Sequence, residues 1–187
     1  MEKATVLIVS GPPAAGKTTL AAMLGAALGW PVFAKDAIKE SLFDTLGYSD
    51  RAWSRKLGLA SVLLLFQIIE QEIAAGRSVI AECNFSRDHD APRFARLAHD
   101  YACAVREVHC TADPEVLISR FIARWERGER HPGHGQTTQV VEELRERIAS
   151  GAHTPLLPPA HVLTVDTTDL ATLDDTTLIV AVRSLIG

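Results

Sequence analysis

Residues 11 to 18 read Gly11-Pro12-Pro13-Ala14-Ala15-Gly16-Lys17-Thr18, a full match to the pattern G-x-x-x-x-G-K-[ST]. With average glycine usage near 7%, chance places this pattern in roughly one chain in a hundred of this length. Context lowers that further, since Val6-Leu7-Ile8-Val9 reads as a strand before it and Leu20-Ala21-Ala22-Met23-Leu24 as a helix after it. A loop that wraps a polyphosphate must turn backbone N–H groups inward, and Cβ atoms obstruct that, which accounts for glycine at 11 and 16. The helix opening at Lys17 aims its positive end and unpaired N–H groups at the same phosphates. The spacing assigns Gly11, Pro12, Pro13, Ala14, Ala15, Gly16, Lys17, Thr18 and Thr19 to a nucleoside triphosphate. Lys17 would reach the β- and γ-phosphates and the Thr18 hydroxyl a position on Mg2+. A glycine-rich turn that merely joins strand to helix is the alternative.

Further chemistry is predicted where other strands end. Lys35-Asp36-Ala37-Ile38-Lys39 follows a short second strand, and functional groups gather beyond the carboxyl ends of parallel strands. Asp36 is a candidate to take the proton of an acceptor hydroxyl, and equally a good N-cap for the helix behind it. Lys39, one turn on, is placed to hold an anion of the acceptor. Glu82 ends an apolar strand, where a carboxylate holds magnesium, here through water. Asn84 reads as a substrate contact or a turn residue. Arg120 and Arg124 share a helix face, with Arg127 close to it, and guanidinium groups there either meet the charge on a transferring phosphoryl group or pair with Glu126 and Glu129 at the surface. His131 and His134 read as a loop tip that is substrate-contacting or merely polar, ahead of a zinc site, because no cysteine or carboxylate stands at metal spacing.

The elements that must position these residues alternate. Strands are predicted at Thr5–Ser10, Pro31–Ala34, Ser78–Glu82, Ala104–His109 and His161–Asp166. Helices are predicted near Lys17–Leu28, Ala37–Leu46, Ala52–Ala75, Ala91–Tyr101, Pro114–Arg127, Thr138–Ser150 and Leu173–Leu185. This is the signature of βαβ units on a parallel sheet. All strands but the second read as near-continuous apolar runs, as expected where helices cover both faces. Leu57, Leu64, Ile68 and Ile69, with Trp53, read as core. The run from Arg120 into His131-Pro132-Gly133-His134-Gly135 reads as helix, flexible loop and helix, a lid over about 115–150 within a single domain of 1–187.

Composition excludes several classes. With 187 residues, 47% hydrophobic and 22% charged, the chain buries a core. Its 19 Lys and Arg against 23 Asp and Glu leave a net charge of −4, which gives no broad basic face for duplex nucleic acid. Cys83, Cys103 and Cys110 form no C-x-x-C pair and read as small buried hydrophobes in a reducing compartment. The apolar region Leu57–Ile69 is too short for a bilayer and the N-terminus is wrong for a secretory signal, so a soluble cytoplasmic protein is expected.

Gly11–Thr18, Lys35-Asp36-x-x-Lys39, Glu82-x-Asn84 and the Arg120-x-x-x-Arg124 helix leading into a lid resemble the small P-loop kinases of the nucleoside-monophosphate-kinase-like group. Within it they look most like the predicted AAA-type ATP-binding kinases, the kinase domain of polynucleotide kinase and chloramphenicol phosphotransferase. The similarity runs from about Thr5 to Ser150. It implies a P-loop NTPase three-layer α/β sandwich with a five-stranded parallel sheet ordered 2-3-1-4-5. It also implies Asp36 as catalytic base, position 39 as an acceptor contact, and Arg120 and Arg124 on ATP phosphates. Lys39 stands where arginine is usual, and Glu82 where aspartate is usual. The expectation is an ATP- and Mg2+-dependent phosphotransferase acting on a hydroxyl of a small metabolite or antibiotic. Lys17, Asp36, Arg120 and Arg124 would be catalytic, and Asp36, Lys39, Asn84, Arg127 and His131 would bind the acceptor. The alternatives are a polynucleotide 5′-hydroxyl kinase, disfavoured by net charge, and a nucleotide-dependent ATPase switch signalling to a partner protein.

Overall fold

Every residue of Thr5–Ser10 is buried, and this strand, β1, lies at the centre of the sheet. The computed structural model describes residues 3–135 and 138–187. The other strands are β2 (Val32–Ala34), β3 (Val79–Glu82), β4 (Ala104–Thr111) and β5 (Val162–Asp166). All pairings are parallel, in the order β2-β3-β1-β4-β5 that the resemblance implied. The helices are α1 (Lys17–Leu28), α2 (Lys35–Leu46), α3 (Arg51–Ala74), α4 (Arg87–Asp100), α5 (Pro114–Glu126), α6 (Thr138–Ala149) and α7 (Asp175–Ile186).

Burial on both faces of β1 explains why its sequence does not alternate. Val6 and Ile8 pack with Leu65, Ile69 and Phe94 of α3 and α4. Leu7 and Val9 pack with Leu24, Leu178 and Val182 of α1 and α7. α5 and α6 form a hairpin with a small apolar seam of its own, Ile118, Phe121, Val141 and Leu144. The expected loop tip closes as a 3-10 turn at Pro132–His134.

Several boundaries differ from expectation for local reasons. α4 begins a turn earlier than Ala91, because Asp90 reaches back to accept from the Ser86 backbone N–H at 2.8 Å and fixes the helix start ahead of Pro92. α3 is long and apolar enough to cross a bilayer. It nonetheless lays Leu57, Ser61, Leu65, Ile69 and Ile73 inward at four-residue spacing, while Leu64, expected in the core, is 39% exposed. Cys83, Cys103 and Cys110 are buried and free.

β4 is the main correction, since it is not a continuous apolar run. Glu107 is fully buried and His109 nearly so. The Ser10 hydroxyl donates to Glu107 Oε1 at 2.5 Å, so its oxygen accepts from His109 Nδ1 at 2.8 Å. Glu107 Oε2 accepts from the backbone N–H groups of Leu156 and Leu157 at 2.8 and 3.0 Å. This carboxylate pins the chain after α6 to the end of β1, just ahead of the glycine-rich loop. Glu107→Gln keeps the shape but turns an amide N–H2 toward donors, and is predicted to cost about 3 kcal/mol, since hydrogen bonds to charged groups are worth about 1.5–3 kcal/mol each. Urea unfolding checks this, and a loss under about 0.5 kcal/mol would show the network to be dispensable.

Candidate active site

The glycine-rich loop is shaped by close backbone approach. A Cβ at Gly11, where φ is 130°, would stand 2.2 Å from the Cys110 carbonyl oxygen. Gly16, with φ 71°, is the N-cap of α1, and no side chain caps that helix. The first-turn N–H groups are therefore left to an anion. Ala14 also has a left-handed φ of 64°, a conformation costing roughly 1–2 kcal/mol without glycine. The Thr167 hydroxyl sits behind the loop, its one proton shared between the Thr111 carbonyl at 2.8 Å and the Ala15 carbonyl at 3.1 Å.

Lys17 is 6% exposed, and its Nζ donates across the loop to the Pro12 carbonyl at 2.7 Å. Burial lowers its pKa, against the pull of nearby Glu82. The Thr18 hydroxyl donates to Glu82 Oε2 at 3.2 Å. Burial raises the Glu82 pKa, offset by Lys17 and reinforced by Asp36. A hydroxyl and a carboxylate side by side at the foot of the cleft are hard oxygen donors of the kind Mg2+ takes, so this pair fits the ion.

Asp36 opens α2 but does not cap it: the N-cap is Ala34 and makes no side-chain cap. Its carboxylate, 47% exposed, lies 2.7 Å from Lys35 Nζ. Burial pushes its pKa up, but the Lys35 ammonium, with His134 and Arg130, more than reverses this and holds Asp36 well below the usual carboxylate range. Lys39 is buried and donates to the Ser54 hydroxyl at 2.9 Å.

These groups line one cleft of about 910 Å³ between the loop, α2, α3 and the α5–α6 hairpin. Lys17, Thr18, Thr19, Asp36, Lys39, Glu82, Asn84, Arg120, Arg124 and Arg127 all reach it. The structure divides the expected arginine pair. Arg120 donates both Nη groups to the carbonyls of Thr167 and Thr168, each at 2.9 Å, whereas Arg124 makes no hydrogen bond or ion pair among the described residues. Arg127 takes the surface alternative and pairs with Glu129 at 2.5 Å.

His131 is placed differently from the expected substrate contact. It stacks on Phe43 at 5.1 Å, and its Nε2 is 3.1 Å from Asp44. Its Nδ1 accepts from the Gly133 N–H, so the proton on Nε2 faces Asp44. His134 meets Glu40 at 2.9 Å. A Cβ at Gly133 would come within 2.6 Å of the Phe43 ring, so glycine lets the hairpin tip sit on α2.

Arg51, Arg55 and Arg147, which no sequence motif marks, also line the cleft, as does Arg130 from the arginine-rich run that reads as a solvated surface. Ten lysines and arginines stand there against five acids, although the whole chain is net negative. Clustering from five helices and the turn after α5 leaves no local sequence signal.

The fold and this loop define a small P-loop kinase architecture. The family model described as an AAA domain matches residues 6–152, most of the chain, and the chain belongs to that family. Among solved structures it is similar to a protein from Chloroflexus aurantiacus j-10-fl, solved as a "putative kinase", at 36% identity and TM-score 0.89 over 98% of both chains. It shares its fold with an APS kinase from Mycobacterium tuberculosis, solved with AMPPNP and APS, at 15% identity and TM-score 0.60 over 100% of this chain and 99% of that one. A gluconokinase from Sinorhizobium meliloti 1021 gives 12% and 0.56 over 100% and 93%. Comparison with curated proteins gives no match.

His153, between α6 and β5, buries an Nε2 that has no hydrogen-bond partner among the described residues. Burial, then Arg147, Lys17 and His109, lower its pKa from 6.5 to about 4. Between those values the folded protein binds fewer protons here than the unfolded chain. Its contribution to stability is therefore lost as pH falls from about 6.5 to about 4. His153→Leu is predicted to flatten the fall in unfolding free energy over that window, and an unchanged slope would place the imidazole in water.

Proposed function

We propose that this chain is an ATP- and Mg2+-dependent phosphotransferase that moves a γ-phosphoryl group to a hydroxyl of a small-molecule acceptor. The supporting observation is the register along the carboxyl edge of the sheet. Val9 and Ala34 both stand beside Glu82, so the loop after β1 and Asp36 after β2 flank it on either side. Two inter-strand steps of about 4.8 Å put these ends roughly 10 Å apart, room for a terminal phosphate and an attacking oxygen between them.

Each residue then has a role. The loop N–H groups and Lys17 hold the β- and γ-phosphates, and Thr18 with Glu82 would hold Mg2+, which when bound neutralises charge on those oxygens. Asp36 orients the acceptor hydroxyl and takes its proton as the new oxygen–phosphorus bond forms and ADP leaves. In a loose transition state the nucleophile keeps its proton until late, so a weak but fully ionised base suffices. Arg124 is the hairpin guanidinium available to the transferring group, and Arg120 positions the 167–168 segment beside the loop. The α5–α6 hairpin acts as a lid, with His131 and His134 resting its tip on α2. Three buried free thiols suit a reducing cytoplasm, which we propose as the compartment.

Asp36→Asn should lower kcat by about 10² to 10⁴ with little change in ATP affinity, because the amide keeps its place but takes no proton. Lys17→Ala should nearly abolish turnover. Steady-state kinetics with γ-labelled ATP check both, and an unchanged kcat in Asp36→Asn would remove the base assignment.

A further inference from the structure

Leu59 and Leu63 of α3 are 62% and 49% exposed, and Leu64 is exposed beside them. Leu46 and Tyr48, just ahead of this helix, are exposed too, as is Tyr101, whose hydroxyl donates to Glu70 near the helix's far end. Single exposed leucines are ordinary on a protein surface. Here, however, six of the eight large apolar side chains exposed among the described residues gather on or beside one helix. The inner face of α3 is occupied by the sheet through Leu65, Ile69 and Ile73, so the outer face needs another molecule to cover it.

The outer stripe is symmetric about its own midpoint. Lys56, Leu59, Leu63, Gln67 and Glu70 are all exposed and recur at spacings of three, four, four and three, one face of a helix. Exposed Ala52 and Ala74 continue the stripe at either end. A second α3 laid antiparallel about a two-fold axis at Leu63 sets Leu63 against Leu63, Leu59 against Gln67 and Lys56 against Glu70. The two charges stand equally far from the midpoint, about 10 Å along the helix in each direction. Lys56 makes no hydrogen bond or ion pair among the described residues, and Glu70 accepts from Tyr101 through Oε1 alone. The alanines let two helix ends run side by side.

We propose that two copies of this chain associate through α3, packed antiparallel, with Lys56 of each copy paired to Glu70 of the other. In a two-fold interface every contact occurs twice, so one self-complementary stripe supplies two ion pairs around a shared leucine centre. The 24 residues of α3 make a helix about 36 Å long and 10–12 Å across, a footprint of about 400 Å2 on each copy. With Leu46, Tyr48 and Tyr101 at its ends the pair reaches about 1,000 Å2 in total, the lower bound of a specific interface, so association in the micromolar range is expected. Ser54, Arg55 and Gly58 line the cleft from a different face of α3, so pairing leaves the cleft open and is independent of the reaction there.

A bilayer fits this face less well. Although α3 is apolar enough to span one, spanning would strip Leu65, Ile69 and Ile73 from the sheet. A helix that lies on a membrane is rich in lysine and arginine on its polar side, whereas this stripe carries one lysine and one glutamate.

Sedimentation velocity on the full chain, from about 1 to 200 µM, reads the association. Wild type is expected to pass from monomer toward dimer across that range. Leu63→Glu sets two carboxylates together on the axis and should raise Kd at least about tenfold, and Lys56→Glu, which faces Glu70, severalfold. Adding Glu70→Lys to Lys56→Glu restores opposite charges and should return Kd to within about twofold of wild type, a rescue that damage to the fold does not give. All three positions are exposed, so melting should stay within about 2 °C of wild type. Should Leu63→Glu not fold, the charge-swap set decides alone. Wild type that stays monomeric throughout, or a dimer that none of these variants weakens, overturns the proposal. Weakening by Lys56→Glu without rescue by the second swap overturns it too, because the antiparallel register is then wrong. Flotation of monomeric wild type with equimolar phosphatidylcholine and phosphatidylglycerol vesicles, lost in Leu63→Glu, would give the face to a bilayer and overturn it likewise.

Discussion

A lysine ammonium held almost wholly out of water at the foot of the cleft is what the rest of this structure is arranged around. Burial pulls the Lys17 pKa down, while the Pro12 carbonyl accepts from its Nζ and Glu82 nearby favours the charged form. That requires a loop folded back on itself over six residues, which in turn requires Gly11 to press against the Cys110 carbonyl where no side chain fits. The parallel sheet supplies the rigid wall behind it, with β1 buried on both faces and tied to β3 and β4.

The same edge of the sheet explains why the chemistry gathers in one place. Strand ends that follow β1, β2 and β3 deliver the loop, Asp36 and Glu82 side by side, and the α5–α6 hairpin brings arginines from the opposite side. A net-negative chain thereby builds a strongly positive cleft, because opposite charges are spent elsewhere on the surface while cations from five helices and the turn after α5 converge. Buried Glu107 works at longer range, joining the segment after α6 to the strand that launches the loop. The hairpin therefore meets the sheet through both its tip on α2 and its exit beside β1.

How much of this was legible in the sequence follows from the range of each interaction. The loop, α1 and the alternation of strands and helices are local, and α1 was read to the residue. Glu82 is legible as the end of an apolar run, and Asp36 only as the residue that follows a short second strand. Arg120 and Arg124 reach the same cleft, but the hold on Arg120 is not legible, since the carbonyls that engage it lie 47 and 48 residues away. The Ser10–Glu107 contact spans 97 residues and the His131–Asp44 contact 87, and no window of sequence contains both ends. The burial of Lys39 depends on α3 packing across α2, so it becomes visible only in three dimensions. Leu64 reads as core because an apolar helix with a broad face gives its inward stripe no unique phase.

The central claim is that one cleft holds a terminal phosphate and an acceptor oxygen between Lys17 and Asp36. A crystal structure with Mg2+ and AMPPNP tests it most directly. The account predicts the γ-phosphorus with its far side toward Asp36, leaving a gap of one hydroxyl, about 2.7 Å from the carboxylate and roughly 3–3.5 Å from phosphorus. A γ-phosphate facing away from residue 36, or protein side chains filling that gap, would contradict it.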